Sequence, residues 1–596
     1  MNRPLSRLFC LLFIALCFAA PAFSQESSLA DRLPPDTWFY LHWQGGASLT
    51  AAQQKNHLLQ LWADPGFAPV RSAILEQIRS GGKDKPNSKG MTPEQRAAVM
   101  DLIFGVLENP IIAGFAGPLH MPQKQQAATD AGSAPQTSAT GVQPGYFLIV
   151  DLSADKSGKS MSIAKLATSF NSQGKLTTPT SSFTVEGATV NEIQEEREKA
   201  YAATVGNYFV RTGQLDLMKQ LIPRLLSAGT PAHSLSETAA YQQSRKQMGS
   251  GNLLEVFLRI PDLKDLQLPA TAKIDPAAFT RALHTDTIKV ACGSLNVSGE
   301  AARMRFAVLG DTTHGGLFDF VGSSQDSFAT LALAPAGSTF QGSRIDLAAL
   351  YLTISRALVA SLPKEQSENV TRMESFGEMA LGMPIADAFH LFTGEYASIR
   401  PELGEDMSSG LFGATIRDPD KLVSLISHVL GTSVTTEDRE GDTTFLTISM
   451  PYKDPKTQAV RRRFYAVAIA PGFLVVGPRK APVREALARA ANASGPKSTA
   501  GLAGDPSLIR VRGTLPQNLS GFGYADLTHA DWSKIKASFA PQQEFKIQGG
   551  YGNSKSPTGA GPLDALDPAI LSRYLHLTYS GMWKDSSGVY FDSYVQ

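Results

Sequence analysis

The chain repeats itself, and the repeat limits what it can fold into more than any single motif does. The stretch YAATVGNYFVRTG (201–213) lies over YAVAIAPGFLVVG (465–477) without a gap. Tyr201/Tyr465, Ala202/Ala466, Phe209/Phe473 and Gly213/Gly477 are identical. Five further segments pair in the same order: 33–41 with 334–342, 111–119 with 392–401, 146–166 with 411–430, 252–263 with 521–532, and 293–309 with 576–595. Ordered self-similarity of this kind predicts two copies of one module, 25–322 and 323–596.

Local patterns give the content of each copy. The 201–213 and 465–477 segments predict two short strands around a turn, at Gly206-Asn207 and at Pro471-Gly472. Asp418-Pro419 is a helix start, with an acidic cap and proline at the first helical position. Amphipathic spacing predicts helices over 51–63, 68–80, 92–107, 215–227, 345–362, 368–383 and 481–491. Short alternating strands fill the rest. The expected fold is α+β, two duplicated copies of a mainly antiparallel sheet with helices packed on one face. Polar 123–145 is expected as a disordered insertion in the first copy, and 81–90 and 558–566 as further irregular stretches.

The N-terminus predicts a destination. Arg3 and Arg7 precede the apolar run 8–20, and Ala22-Phe23-Ser24 supplies small residues for cleavage, so 1–24 is expected to be a signal peptide removed near Ser24. No later run is long and apolar enough to span a bilayer as a helix. The mature product is expected in the periplasm or outside the cell, with no membrane span. Cys10 and Cys17 would leave with the leader, and Cys292 alone can form no internal disulfide. Lys and Arg number 55 against 54 Asp and Glu, which removes any broad electrostatic case for nucleic acid.

The opening Leu33-Pro34-Pro35-Asp36-Thr37 followed by an apolar strand resembles the secreted bacterial proteins grouped as domain of unknown function 3352. The strand–helix units ending in YAATVGNYFVRTG, and NLLEVFLRI followed by PDLKDL, share the resemblance. The second copy departs from the opening at Ala336-Gly337-Ser338. The resemblance implies an envelope location and transfers no catalytic residue.

Chemical motifs are sparse. The histidines show no HExxH or other close ligand spacing, so no metal site is assigned. No GxSxG elbow, phosphate loop or dinucleotide loop occurs, and no cofactor or catalytic residue is assigned. Ser162-Ile163-Ala164-Lys165 has the S-x-x-K spacing of penicillin-recognising enzymes, but no KTG or SDN-like partner follows. The Glu-rich hairpin at 195–198 and its Arg461-Arg462-Arg463 twin are expected as solvated tips of opposite sign.

The aromatics carry the remaining signal. In a strand Trp38, Tyr40 and His42 share one face, and Phe39, Leu41 and Trp43 the other. Two apolar faces suit a strand buried on both sides. A ligand site at Trp38, Tyr40, His42 and Trp43 needs one face open. The leading functional expectation is a non-enzymatic envelope protein that binds or scaffolds, with an apolar small molecule or a protein as partner. One alternative is a hydrolase with an unrecognised site, for which His42, His390 and His428 are the first candidates. The other is a purely structural assembly factor.

Overall fold

The computed structural model describes residues 29–72, 108–117, 145–153, 179–194, 199–260 (except 228 and 230), 275–322 (except 314), 327–400, 410–453, 459–492, 501–533 (except 529) and 567–596. The leader, residues 123–144 of the expected insertion, the S-x-x-K and the 195–198 tip lie outside the described residues, as do 81–90, 92–107 and 558–566, while Gly145 already belongs to a strand.

Two compact units are present, and residues 270–288 and 310–544 fall in the second. The first carries β1 (Thr37–Trp43), β2 (Ile111–Ala116), β3 (Gly145–Asp151), β4 (Ser181–Val185), β5 (Ala188–Gln194), β6 (Lys199–Val205), β7 (Tyr208–Thr212), β8 (Leu254–Arg259), β9 (Ile288–Asn296) and β10 (Ala302–Gly310). The second carries β11 (Thr339–Arg344), β12 (Phe392–Arg400), β13 (Leu411–Ile416), β14 (Val434–Glu440), β15 (Thr443–Lys453), β16 (Val460–Ala470), β17 (Phe473–Gly477), β18 (Gly521–Asp526), β19 (Leu577–Asp585) and β20 (Gly588–Val595).

Hydrogen bonding orders the strands of the first unit β10-β9-β8-β1-β2-β3-β7-β6-β5-β4. It orders those of the second β20-β19-β18-β11-β12-β13-β17-β16-β15-β14. Adding ten to each strand number of the first order gives the second. The pairs with a defined register are antiparallel. Turn chemistry explains the shared hairpins: Gly206 (φ 57°) and Gly472 (φ 85°) take left-handed backbone that a side chain disfavours.

The chain also enters both sheets in one way. Thr37 N–H donates to Pro34 O at 3.1 Å, and Ser338 N–H to Pro335 O at 3.3 Å. Leu235 N–H reaches Leu33 O at 2.9 Å, and Leu502 N–H reaches Ala334 O at 3.0 Å. One difference follows the turn. The β1 register against β2 slips between Thr37 and Phe39, so Trp38 is an extra, bulged residue. With that residue discounted, Phe340 falls where Tyr40 does, three strands from β7 or β17 in its own sheet. The ungapped alignment set Phe340 under Phe39 and Gln341 under Tyr40, one place off this register.

The expectation of helices on one face is corrected. α1 (His57–Ala63), α2 (Leu215–Leu226) and α3 (Ala239–Met248) serve the first unit. Tyr241 of α3 packs edge-on to Phe257 at 6.0 Å and lies 6.3 Å from Tyr40, covering one face of β1 and β8. On the other face Leu41, Trp43, Ile111, Val150 and Phe209 form a core joined by Leu58 and Leu59 of α1. In the second unit the helices include α4 (Leu347–Ser361), α5 (Lys364–Leu381), α6 (Ile385–His390), α7 (Pro419–Leu430), α8 (Lys480–Asn492) and α9 (Pro506–Arg512). Val483 and Ala486 of α8 and Val511 of α9 cover Phe340, Ile399 and Val475. Leu422 and Val423 of α7 pack with Ala414, Leu446 and Val467, the residues that alternate with those. Asp418 caps α7 by accepting from Lys421 N–H at 3.0 Å. A central strand with two apolar faces requires cover on both, which one helical layer cannot give.

Gly114 tests the packing at the centre of the first sheet. It stands opposite Tyr40, and a Cβ there would lie 2.1 Å from Phe39 O and 2.8 Å from Phe147 Cζ. Gly114→Ala is expected to lower unfolding stability by about 1–3 kcal/mol, read as a lower urea midpoint. An unchanged midpoint would contradict this packing.

Candidate functional site

The sequence-predicted aromatic residues separate. Tyr40 and Trp43 are fully buried, and Trp38 and His42 are half-buried. Tyr40 stacks on Phe257 at 5.4 Å, and burial raises its hydroxyl pKa well above the ordinary value. The bulge breaks the expected alternation. Trp38 stacks on Phe115 at 5.3 Å and lies 6.3 Å from Phe39, on the side opposite Tyr40. The four residues therefore do not form one platform.

His42 belongs to a buried charge cluster instead. Its Nδ1 stands 3.7 Å from Glu255 Oε2, too long for a hydrogen bond. Arg245 of α3 pairs with Glu255 Oε1, and Asn252 Nδ2 donates to the same oxygen at 3.0 Å. Burial alone would raise the Glu255 pKa. The His42 ring, the Arg245 guanidinium and the Asn252 amide outweigh it and hold the carboxyl at about 2.

The second unit carries its own pair. Arg344 Nη2 and Nε donate to Glu395 Oε2 at 3.1 and 3.3 Å, and Nη1 donates to Leu519 O at 2.8 Å. Glu395 Oε1 accepts from Thr330 N–H at 2.7 Å and from its hydroxyl at 2.8 Å. Arg344 also lies 4.2 Å over the Phe328 ring. Both charges are saturated by protein groups, the condition under which a buried pair is tolerated.

Beside this pair lies a cavity of about 300 Å³, the concave feature that the sequence did not reveal. β12 builds it. The register of β12 against β13 slips between Phe392 and Tyr396, and Gly394 sits inside the slip at φ 93°. The strand bows there, as bulged strands do beside many sites. The cavity is lined by Phe392, Tyr396, Phe389, His390, Arg417 and Asp346. Tyr396 Oη is buried without a hydrogen-bond partner, and burial, with the Asp346 charge, pushes its pKa up to about 12. Asp346 caps α4, accepting from Ala349 N–H at 2.9 Å. Among the described residues the Arg417 side chain makes no hydrogen bond or ion pair.

Of the three histidines singled out as hydrolase candidates, His390 reaches this cavity. Among the described residues, neither His390 nor His428 makes a side-chain hydrogen bond. Cys292 is free and buried, and burial raises its thiol to about 12, which removes thiolate character. The described residues contain no group of three or more His, Cys, Asp and Glu side chains placed to hold a metal, and no helix long and apolar enough to cross a membrane.

One helix face also stands open. α5 has no buried residue, and Met373, Phe376 and Met379 are 73%, 60% and 69% exposed. On its inner side Glu374 accepts from Tyr351 Oη at 2.9 Å and from Ser355 Oγ, both on α4, beside half-buried Val370 and Leu381.

No family model, curated protein or solved structure matches the chain.

Glu255 gives a signed pH dependence. Its carboxyl is ionised in the fold down to about pH 2, against an ordinary value of 4.5. Its contribution is complete above about pH 4.5 and is lost as pH falls toward 2, on the order of 3 kcal/mol in all. Glu255→Gln is expected to lower stability at neutral pH by a similar amount and to flatten the acid limb of the stability–pH curve. An acid limb identical to that of the unaltered chain would show that the cluster does not hold this carboxylate.

Proposed function

We propose that this chain is a secreted cell-envelope protein that binds a protein partner and is not a catalyst, built as two copies of one antiparallel α+β module. The single observation that carries the binding role is the outward apolar stripe of α5. A surface helix ordinarily turns its apolar stripe to the core. α5 clasps α4 partly through Glu374 and leaves two methionines and a phenylalanine in water. Adaptable, Met-containing apolar patches of this kind suit recognition surfaces. The charge of α5 favours protein over an anionic membrane: Lys364 and Arg372 are outnumbered by Glu365, Glu368, Glu374 and Glu378.

Two further supports are indirect. The shared strand order and the paired turn bonds favour descent of the halves from one module. The leader-like N-terminus and the LPPDT opening, which resembles the domain of unknown function 3352 proteins, favour the envelope.

Site-specific photocrosslinking in living cells tests the reading. A crosslinker at position 376 or 379 is expected to give one discrete protein adduct, absent from a control at Asp442. Met373→Asp in the same chain is expected to reduce that adduct severalfold. Equal labelling from 376, 379 and 442, or none, would overturn the assignment of α5 as the partner surface.

A further inference from the structure

We infer that the cavity bounded by the bowed part of β12 is a binding site for a small organic carboxylate with an apolar body. This is independent of the α5 stripe. The size fits: about 300 Å³ is the lower end of the range for ligand pockets and takes one small organic molecule.

The chemistry of the walls selects the class. Arg344 and Glu395 also face the cavity, but each is consumed by the other and by fixed neighbours. Thr393 is engaged with Thr415 through their hydroxyls. Asp346 spends one oxygen on its cap and sits at the N-terminus of α4, where the helix dipole offsets its charge. Arg417 is left with a guanidinium that no described protein group engages. A planar guanidinium is matched by a carboxylate through two parallel hydrogen bonds. Tyr396 adds a buried hydroxyl that has no protein partner, and a bound oxygen would satisfy it. Phe389 and Phe392 supply the apolar wall that a bare inorganic anion cannot use.

The first unit offers no such arrangement at its corresponding strand. β2 pairs with β3 in continuous register from Ile111 to Ala116. The slip in β12, with Gly394 at its centre, is what separates the two.

Calorimetric titration of the full chain tests the inference with phenylacetate as the probe. Phenylacetamide keeps the shape without the charge, and inorganic phosphate keeps a charge without the body. Phenylacetate is expected to bind at least tenfold more tightly than either. Arg417→Gln, at an exposed side chain, is expected to weaken it tenfold or more while leaving the circular dichroism spectrum unchanged. Tyr396→Phe is expected to weaken it severalfold. No binding of phenylacetate, equal binding of the amide or of phosphate, or an unchanged affinity in Arg417→Gln would each overturn the site.

Discussion

Inner strands of each unit, β1 in the first and β13 and β17 in the second, present apolar residues to both faces, and much of each unit follows from covering them. In the first unit Tyr40 faces α3 while Leu41 and Trp43 face the core that includes α1. In the second, Phe340 faces α8 and α9, and the alternate face of the neighbouring strands is covered by α7. Each large side chain removed from water is worth roughly 1.5–3 kcal/mol, so leaving either face open would forfeit several such terms. The helices are therefore placed by the sheet, and the strand order decides which helix can reach which face.

Within that frame the buried charges fix register and not affinity. Glu255 ties β8 to α3 through Arg245, and Glu395 ties β12 to β11 through Arg344. Apolar packing tolerates small slides, whereas a buried ion pair is held to the geometry of its hydrogen bonds. The two pairs use different strands and different partners. They share a role in holding the centre of a sheet and differ in the residues that perform it.

The features with a functional reading lie where the second unit departs from the common plan. The slip in β12 opens a cavity that β2 lacks, and α5 turns its apolar residues outward. Shared elements carry folding constraints, and departures from them are free to carry something else. The partial exposure of Trp38 has a local origin in the same sense, since one extra residue in β1 rotates it away from Tyr40 and onto Phe115.

The sequence by itself determined the parts that consecutive residues encode. The hairpin turns at Gly206 and Gly472, the Asp418 cap and the antiparallel strand pattern were legible because each depends on neighbours in the chain. The α+β class followed from them. Tertiary structure alone decided the two-sided helix cover, the one-residue offset at Trp38, the pairing of His42 and Arg245 with Glu255, and the cavity behind Gly394. Those depend on which distant segments meet: Glu255 lies more than two hundred residues from His42, and no spacing rule links them. A bulge has the same property, because an extra residue is visible only against the strand it pairs with.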